Sequence, residues 1–265
     1  MTSVIRNTQK QVHDPDQLPP YPRGLYAHVD WLQDGGTARF LLEDGVVIRP
    51  ANFNAEIGAW DKDWCVDPDT LTSADWKLDE RAAFDEDHPF LHDVVYGADR
   101  TFKGNLREEE RQRARDRALN NILRLEQVVS ERTLADRMIA DITTYSITTL
   151  TATSPAIAIA KLEDAAAETG VGGLQIHGKP YWASIYPDGF TESLETKVGH
   201  LQYVAGGGYV QGLTNRLVLT SPVQGWRSDL ESNEALKLQY NQFIAVAERS
   251  VLLGYEKIVA TVTIS

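Results

Sequence analysis

The densest collection of groups able to do chemistry lies in residues 61–100, which carry twelve acidic and four basic side chains, a net of −8 in forty positions. Asp61, Asp63, Asp67 and Asp69 are hard oxygen donors of the kind calcium takes. Their run lacks the turn glycine and the closing bidentate glutamate of a calcium loop, so a solvated acidic loop is the expectation. His88 and His92 stand four apart among Asp85, Glu86, Asp87 and Asp93, the spacing of a metal pair on a helix. Pro89 between them breaks the helix such a pair needs, which again leaves an exposed acidic loop. Gly206-Gly207-Gly208 is the candidate phosphate cradle, but Tyr209 and strand-like sequence follow it rather than a helix N-terminus, so it reads as a tight turn. His177, closing a short apolar run before Gly178, has the setting of a hydrogen-bonded core or edge residue more than of a base. There is no Walker lysine, nucleophile elbow or His-Glu-x-x-His, and the serines, histidines and aspartates form no local triad. No catalytic, cofactor or metal site is expected.

Bulk composition narrows the partners. With a formal net charge of −12 and a pI near 4.9, the chain is poorly suited to clamping a phosphate backbone or an anionic membrane. A single cysteine, Cys65, rules out an internal disulfide framework and a cysteine-built zinc site, and fits a reducing cytosolic origin. The first thirty residues hold no apolar signal core, and no run approaches the length of a membrane span. At 265 residues and 42% hydrophobic content there is material for one large or two modest domains with a real core.

The elements that must position any site are organised around one helix, expected over Asn105–Ile142. Asn105 and Glu108 have the spacing of a capping box, and Glu109 and Arg113 could pair one turn apart. Nine of the eleven residues from Arg107 to Arg117 are charged, with mixed signs, so this end cannot enter its own core. Ala114, Ala118, Ile122, Leu125, Val129, Leu134, Met138 and Ile142 provide an apolar stripe for the rest. Arg132 interrupts the seam a coiled coil would need. Before this helix, residues 1–24 are polar and punctuated by Pro15, Pro19, Pro20 and Pro22, an extended arm. Arg39–Leu42 and Val46–Ile48 flank a Glu43-Asp44-Gly45 hairpin turn. After it, Thr143–Thr153 reads as strand or linker. Ser154-Pro155 opens a second helix that runs to Gly170. Gly172–His177, Val198–Ala205 and Arg216–Val223 read as strands. Asn241–Leu253 begins as a strand with Phe243, Ala245 and Ala247 on one face. Ile258, Ala260, Val262 and Ile264 alternate with Val259, Thr261 and Thr263, a strand covered on one side and nearer water on the other.

Three stretches resemble one family. The Arg/Glu-rich helix closing on Leu125-Glu126-Gln127-Val128-Val129-Ser130-Glu131-Arg132 is similar to the spine helix of major capsid proteins of tailed phages, the Hong Kong 97-type (HK97-like) fold. Ala158-Ile159-Ala160-Lys161-Leu162-Glu163-Asp164-Ala165 with Gly172-Gly173-Leu174-Gln175-Ile176-His177 resembles the start of that family's axial domain, especially in phages of actinobacteria. Phe243-Ile244-Ala245-Val246-Ala247-Glu248-Arg249 with Leu252-Leu253-Gly254-Tyr255 is similar to its closing strands. The resemblance implies an α+β chain divided into an N-terminal arm (1–35), an extended loop with strands (36–100), a peripheral domain with the spine helix (101–150), an axial domain (151–236) and C-terminal strands returning to the core sheet (237–265).

It also implies a function: a non-enzymatic subunit that self-assembles, as hexamers and pentamers, into an icosahedral head around double-stranded DNA it does not bind tightly. Such a subunit is assembled in the host cytoplasm and resides in the virion, with scaffold, portal and decoration proteins as possible partners. Any scaffold would be a separate chain. The acidic stretch, with Asp61, Asp63 and Asp67, is expected to meet Arg107, Arg111 and Arg115 on a neighbouring copy. Some members weld subunits by a Lys–Asn bond assisted by Glu; Asn241 and Glu248 are seven apart, facing opposite sides of a strand, which leaves little support for a cross-link through Lys62 or Lys77. The rival readings are an encapsulin-like nanocompartment shell, a tail or head-decoration protein, and a soluble enzyme or binding module with a dispersed site.

Overall fold

The computed structural model describes residues 18–32, 47–48, 51–53, 62–63, 65–75, 88–89, 91–101 and 107–265. Its longest element is helix α1, Glu108–Thr144, 37 residues and about 55 Å of rod. Arg107 is its N-cap, without a side-chain cap bond, and Glu108, Glu109 and Glu110 fill the first turn, where carboxylates meet the positive end of the helix dipole. Asn105, on which the expected capping box rests, lies outside the described residues. Arg113 pairs with Glu110, at 3.3 Å, rather than with Glu109.

The buried positions of α1 explain its length. Ala114, Ala118, Ile122, Glu126, Ser130, Leu134, Met138 and Ile142 recur at every fourth residue, all buried. A step of four residues turns through about 400°, so the stripe advances roughly 40° each time and winds most of the way around the rod. One half of the helix therefore faces one sheet and the other half a second. This corrects the expected stripe at two places: Leu125 and Val129 are 45% and 43% exposed. A seam fixed to one side passes through them, whereas the winding seam passes through Glu126 and Ser130.

The strands, in chain order, are β1 (Asp30–Trp31), β2 (Val47–Ile48), β3 (His88–Pro89), β4 (Leu91–Thr101), β5 (Thr149–Ala152) and β6 (Gln175–Gly178). They continue as β7 (Gln202–Ala205), β8 (Arg216–Thr220), β9 (Gln224–Arg227), β10 (Glu231–Lys237), β11 (Gln242–Gly254) and β12 (Ile258–Ile264). The first sheet runs β1-β9-β11-β10, with β4 on the other edge of β11; the second runs β5-β12-β8-β6-β7; β2 and β3 form a small pair. Residues 33–46, including the expected Arg39–Leu42 strand and its turn, lie outside the described residues. His88 and His92 lie in strands rather than in a loop, while Asp85, Glu86 and Asp87 lie outside the described residues: β-forming Val94, Val95 and Tyr96 find in β11 a partner of matching length, and β4 pairs with it from Leu91–Leu253 to Thr101–Phe243. Asn241 is no strand residue either. It sits in the left-handed region at φ 48°, turning β10 into β11.

In the first sheet α1 covers one face, and the other is buried only toward one end of β11, at Ser250 and Leu252, among the described residues. Phe243, Ala245 and Ala247 turn toward α1, as the alternation predicts, and Gly97 of β4, opposite Ala247, lets strand and helix touch. A Cβ on Gly97 would stand 2.6 Å from the Ile122 amide nitrogen. On the other face Val94 and Tyr96 are 54% and 68% exposed.

The second sheet is covered on both faces, against expectation. Leu217, Leu219, Ala260 and Val262 pack with Ala158, Ile159 and Leu162 of helix α2 (Pro155–Thr169). Val204, Val218 and Ile258 belong to the core that holds Leu134, Ala135 and Met138 of α1. Thr261 is consequently buried, and its hydroxyl donates to the Leu217 carbonyl at 3.1 Å. Helix α2 keeps its expected ends: Ser154 Oγ accepts from the Ile157 amide at 3.3 Å, and Gly170 terminates it at φ 66°. The strand expected from Val198 begins only at Gln202. Short helices α3 (Pro180–Ile185) and α4 (Tyr209–Gly212) complete the described elements.

Candidate inter-subunit surfaces and the carboxylate joints behind them

The arginines at the start of α1 are used unequally. Arg115 donates to Glu108 at 2.5 Å and to Glu234 at 2.8 Å, strapping the helix to β10, and these bonds, Glu234 first, raise its already high pKa. Arg117 donates to Asp99 at 2.6 Å, so one acid of the 61–100 stretch meets this helix within the same chain. Arg111 differs. It lies with Arg115 against the Phe243 ring, at 5.7 and 5.4 Å, its Nε is buried without a hydrogen bond, and among the described residues no carboxylate comes within ion-pair distance of it, though Glu108 feels its charge. Arg107 is exposed.

The acids proposed to meet them are engaged locally. Asp63 accepts from the Cys65 amide at 3.4 Å, and Asp67 caps the turn Pro68–Thr70 by accepting from Asp69 at 3.1 Å; both are exposed. These are turn-forming bonds, not a cation cage, and among the described residues no group of three or more His, Cys, Asp or Glu could hold a metal ion. Asp61 lies outside the described residues. Lys62 pairs with Asp75 at 2.7 Å. Lys77 lies outside the described residues. The chain does not by itself bring Asp63 or Asp67 to Arg107, Arg111 or Arg115.

Among the described residues, exposed apolar side chains gather on three surfaces. The outer face of the first sheet carries Val94 and Tyr96. Strand β10 is exposed throughout and ends in a hairpin tip with Leu238 and Tyr240 in solvent. Near α3, Tyr181, Ile185 and Val198 are exposed, with Lys179 Nζ 4.4 Å above the Trp182 ring. Apolar area of this kind is what interfaces between copies bury.

Behind these surfaces the sequence reading missed a set of buried carboxylates on α1. Glu126 meets Arg249 at 3.1 Å and accepts from the Tyr26 hydroxyl at 3.0 Å, which also lies 2.8 Å from Ser130. Asp141 is bonded by Arg137 at 2.8 Å and by Tyr255 at 2.7 Å. Burial, joined by the Asp141 bond, drives the Tyr255 pKa far up, so the phenol stays a donor. Glu131, fully buried, accepts from the Leu25 amide at 2.8 Å and the Gly208 amide at 2.7 Å; burial raises its pKa against the pull of those bonds. What the triple glycine holds, through the Gly208 amide, is this carboxyl group of its own chain. A one-turn helix, not the expected strand, follows it. The four-residue step from Ile122 to Leu134 was the available signal for Glu126 and Ser130.

His177 has the bland role expected. It is fully buried, its Nδ1 is 2.9 Å from Tyr209 Oη and its Nε2 is 2.8 Å from Thr220 Oγ1. Burial, with a smaller effect of His28, lowers its pKa to about 3, so it is a neutral bridge between hydroxyls.

A winding spine helix, a sheet packed against its first half and a second sheet covered on both faces define the Hong Kong 97-type fold, α+β in class. Among solved structures, one from Mycobacterium phage Bobi aligns with a TM-score of 0.53 at 10% identity, covering 97% of this chain and 96% of that one. The capsid of a native GTA particle gives 0.51 at 6% identity, over 100% and 98%. A structure from Mycobacterium phage Che8 gives 0.50 at 10%, over 98% of both chains. No protein-family model matches, and no curated protein matches in sequence.

Proposed function

We propose that this chain is the major capsid protein of a tailed phage, the structural, non-catalytic subunit of an icosahedral head enclosing double-stranded DNA. The observation that carries the reading is end-to-end agreement in fold with the capsid of a native GTA particle, in a chain that leaves Val94 and Tyr96 of its first sheet and all of β10 exposed. A likeness to two Mycobacterium phage structures supports a phage of actinobacteria. The acidic balance suits a container whose wall must not hold packaged phosphate. Assembly in the host cytoplasm, hexamers and pentamers, and association with scaffold, portal and decoration proteins belong to the same reading. So does the division at residues 35, 100, 150 and 236.

Contact between copies runs through Arg111 and Arg107, and the acidic stretch of a neighbour supplies the counter-charge. Arg111 is the better placed of the three arginines named from sequence, because Arg115 is already held by two carboxylates of its own chain. The test is negative-stain microscopy of the purified chain and its R111E variant. Shells or capsomers from the parent, lost or salt-shifted in R111E, support the reading; featureless monomers from the parent oppose it.

A further inference from the structure

We infer that Glu131 is a positioning residue that couples the seat of the N-terminal segment to the glycine turn of the second sheet, fixing the direction in which the chain before Gly24 leaves the body. The consequence for shells rests on the function proposed above; the coupling itself does not.

Residues 24–32 cross α1 as a collar held at both ends. At the far end Asp30 and Leu32 donate to Val223 and Gly225, each at 2.9 Å, continuing the parallel pairing of β1 with β9. In the middle, Trp31 Nε1 donates to the Tyr26 carbonyl at 3.2 Å, and Arg227 lies 4.6 Å above the Trp31 ring. At the near end the Leu25 amide goes to Glu131, while Tyr26 reaches the adjacent Ser130 and, about a turn earlier, Glu126. On the opposite side of the same turn of α1, Gly208 hands its amide to the other oxygen of Glu131. Gly208 is needed for room, not for conformation, and a side chain at Gly24 would have to displace Gln127 and crowd Glu131. Gly24 and Gly208 have ordinary negative φ, but a Cβ on Gly24 would overlap the Gln127 side chain, and one on Gly208 would stand 2.7 Å from the Arg132 amide nitrogen.

A carboxylate fits this joint because it offers two acceptors and no donor. Glutamine of the same shape accepts from one amide and turns its own N–H groups on the other. One side of the joint must then open. The same geometry makes the joint transmit: when the collar lifts, one oxygen of Glu131 loses its buried donor, and the side chain turns to find another, loosening the glycine turn.

The test is amide hydrogen exchange on the unassembled chain, following segments 25–31 and 206–213. In the parent background Tyr26→Phe leaves Glu131 intact, and we expect exchange to quicken in both segments, by about tenfold in the collar, the effect of one hydrogen bond. In an E131Q background Tyr26→Phe should quicken the collar alone. The coupling is wrong if Tyr26→Phe leaves the glycine turn unchanged in the parent, or still alters it without Glu131. Even if E131Q does not fold, a glycine turn left unchanged by Tyr26→Phe in the parent overturns the coupling. Where shells form, E131Q particles should spread in diameter; uniform E131Q particles would contradict a role in setting the arm. Absence of shells from the parent chain would count against the proposed function and leave the exchange result standing.

Discussion

The Glu126 carboxylate lies 3.1 Å from the Arg249 guanidinium, both side chains largely removed from solvent, and this pair pins the middle of α1 to the middle of β11. Truncating one partner strands the other charge, which costs far more than the pair is worth. Glu126→Ala should therefore destabilise the chain by about 3 kcal/mol in urea melts, whereas a joint Glu126→Leu, Arg249→Met change should recover most of that loss.

Contact, not conformation, fixes two glycines. Gly208→Ala meets the backbone of α1 at Val128 and Arg132, and Gly97→Ala meets it at Ala118 and Ile122. Backbone cannot step aside as a flexible side chain does, so each substitution should cost about 3 kcal/mol in denaturant melts. Gly172→Ala, in open space, should cost little by the same measurement.

Acid should unsettle the second sheet through His177. Its folded-state pKa is lowered to about 3 from an ordinary 6.5, so between those values the unfolded chain takes up a proton that the folded chain refuses. Stability contributed by the neutral ring is complete above about pH 6.5 and is lost as pH falls, at up to about 1.4 kcal/mol per unit. Half-buried His28, lowered by burial, adds in the same direction. Urea melts from pH 7 to pH 4 should show that slope in the parent and a shallower one in His177→Gln.

What was legible in the sequence followed period and punctuation. The long helix, the Ser154–Gly170 helix and the alternation of Phe243, Ala245 and Ala247 all announce themselves in the spacing of apolar side chains and caps. The carboxylate joints did not, because Glu126, Glu131 and Asp141 look like solvated residues until the partners that neutralise or bond them arrive from 100 or more positions away, as with Tyr26, Leu25, Arg249 and Tyr255. The covering of Thr261 was hidden for a similar reason. It depends on a helix stripe that winds, and only a strict step of four betrays winding. Of the candidate contact residues, Arg111 gained weight because the fold leaves it without a carboxylate at ion-pair distance among the described residues, while Arg115 lost it to Glu108 and Glu234.

Charge reversal should separate folding from association. R111E removes a guanidinium that makes no ion pair among the described residues of its own chain, so its thermal midpoint should stay within a few degrees of the parent, while association weakens and depends less on salt. R115E breaks two ion pairs within the chain and should lower the midpoint as well.

The claim that copies of this chain complete one another's burial is tested most directly by sedimentation velocity of the purified chain over a range of concentrations. The account predicts capsomer- or shell-sized species appearing as concentration rises, with a boundary far beyond that of a 29.5 kDa monomer. A single monomeric boundary at every concentration, with Tyr96 and Tyr240 still in water, would contradict it.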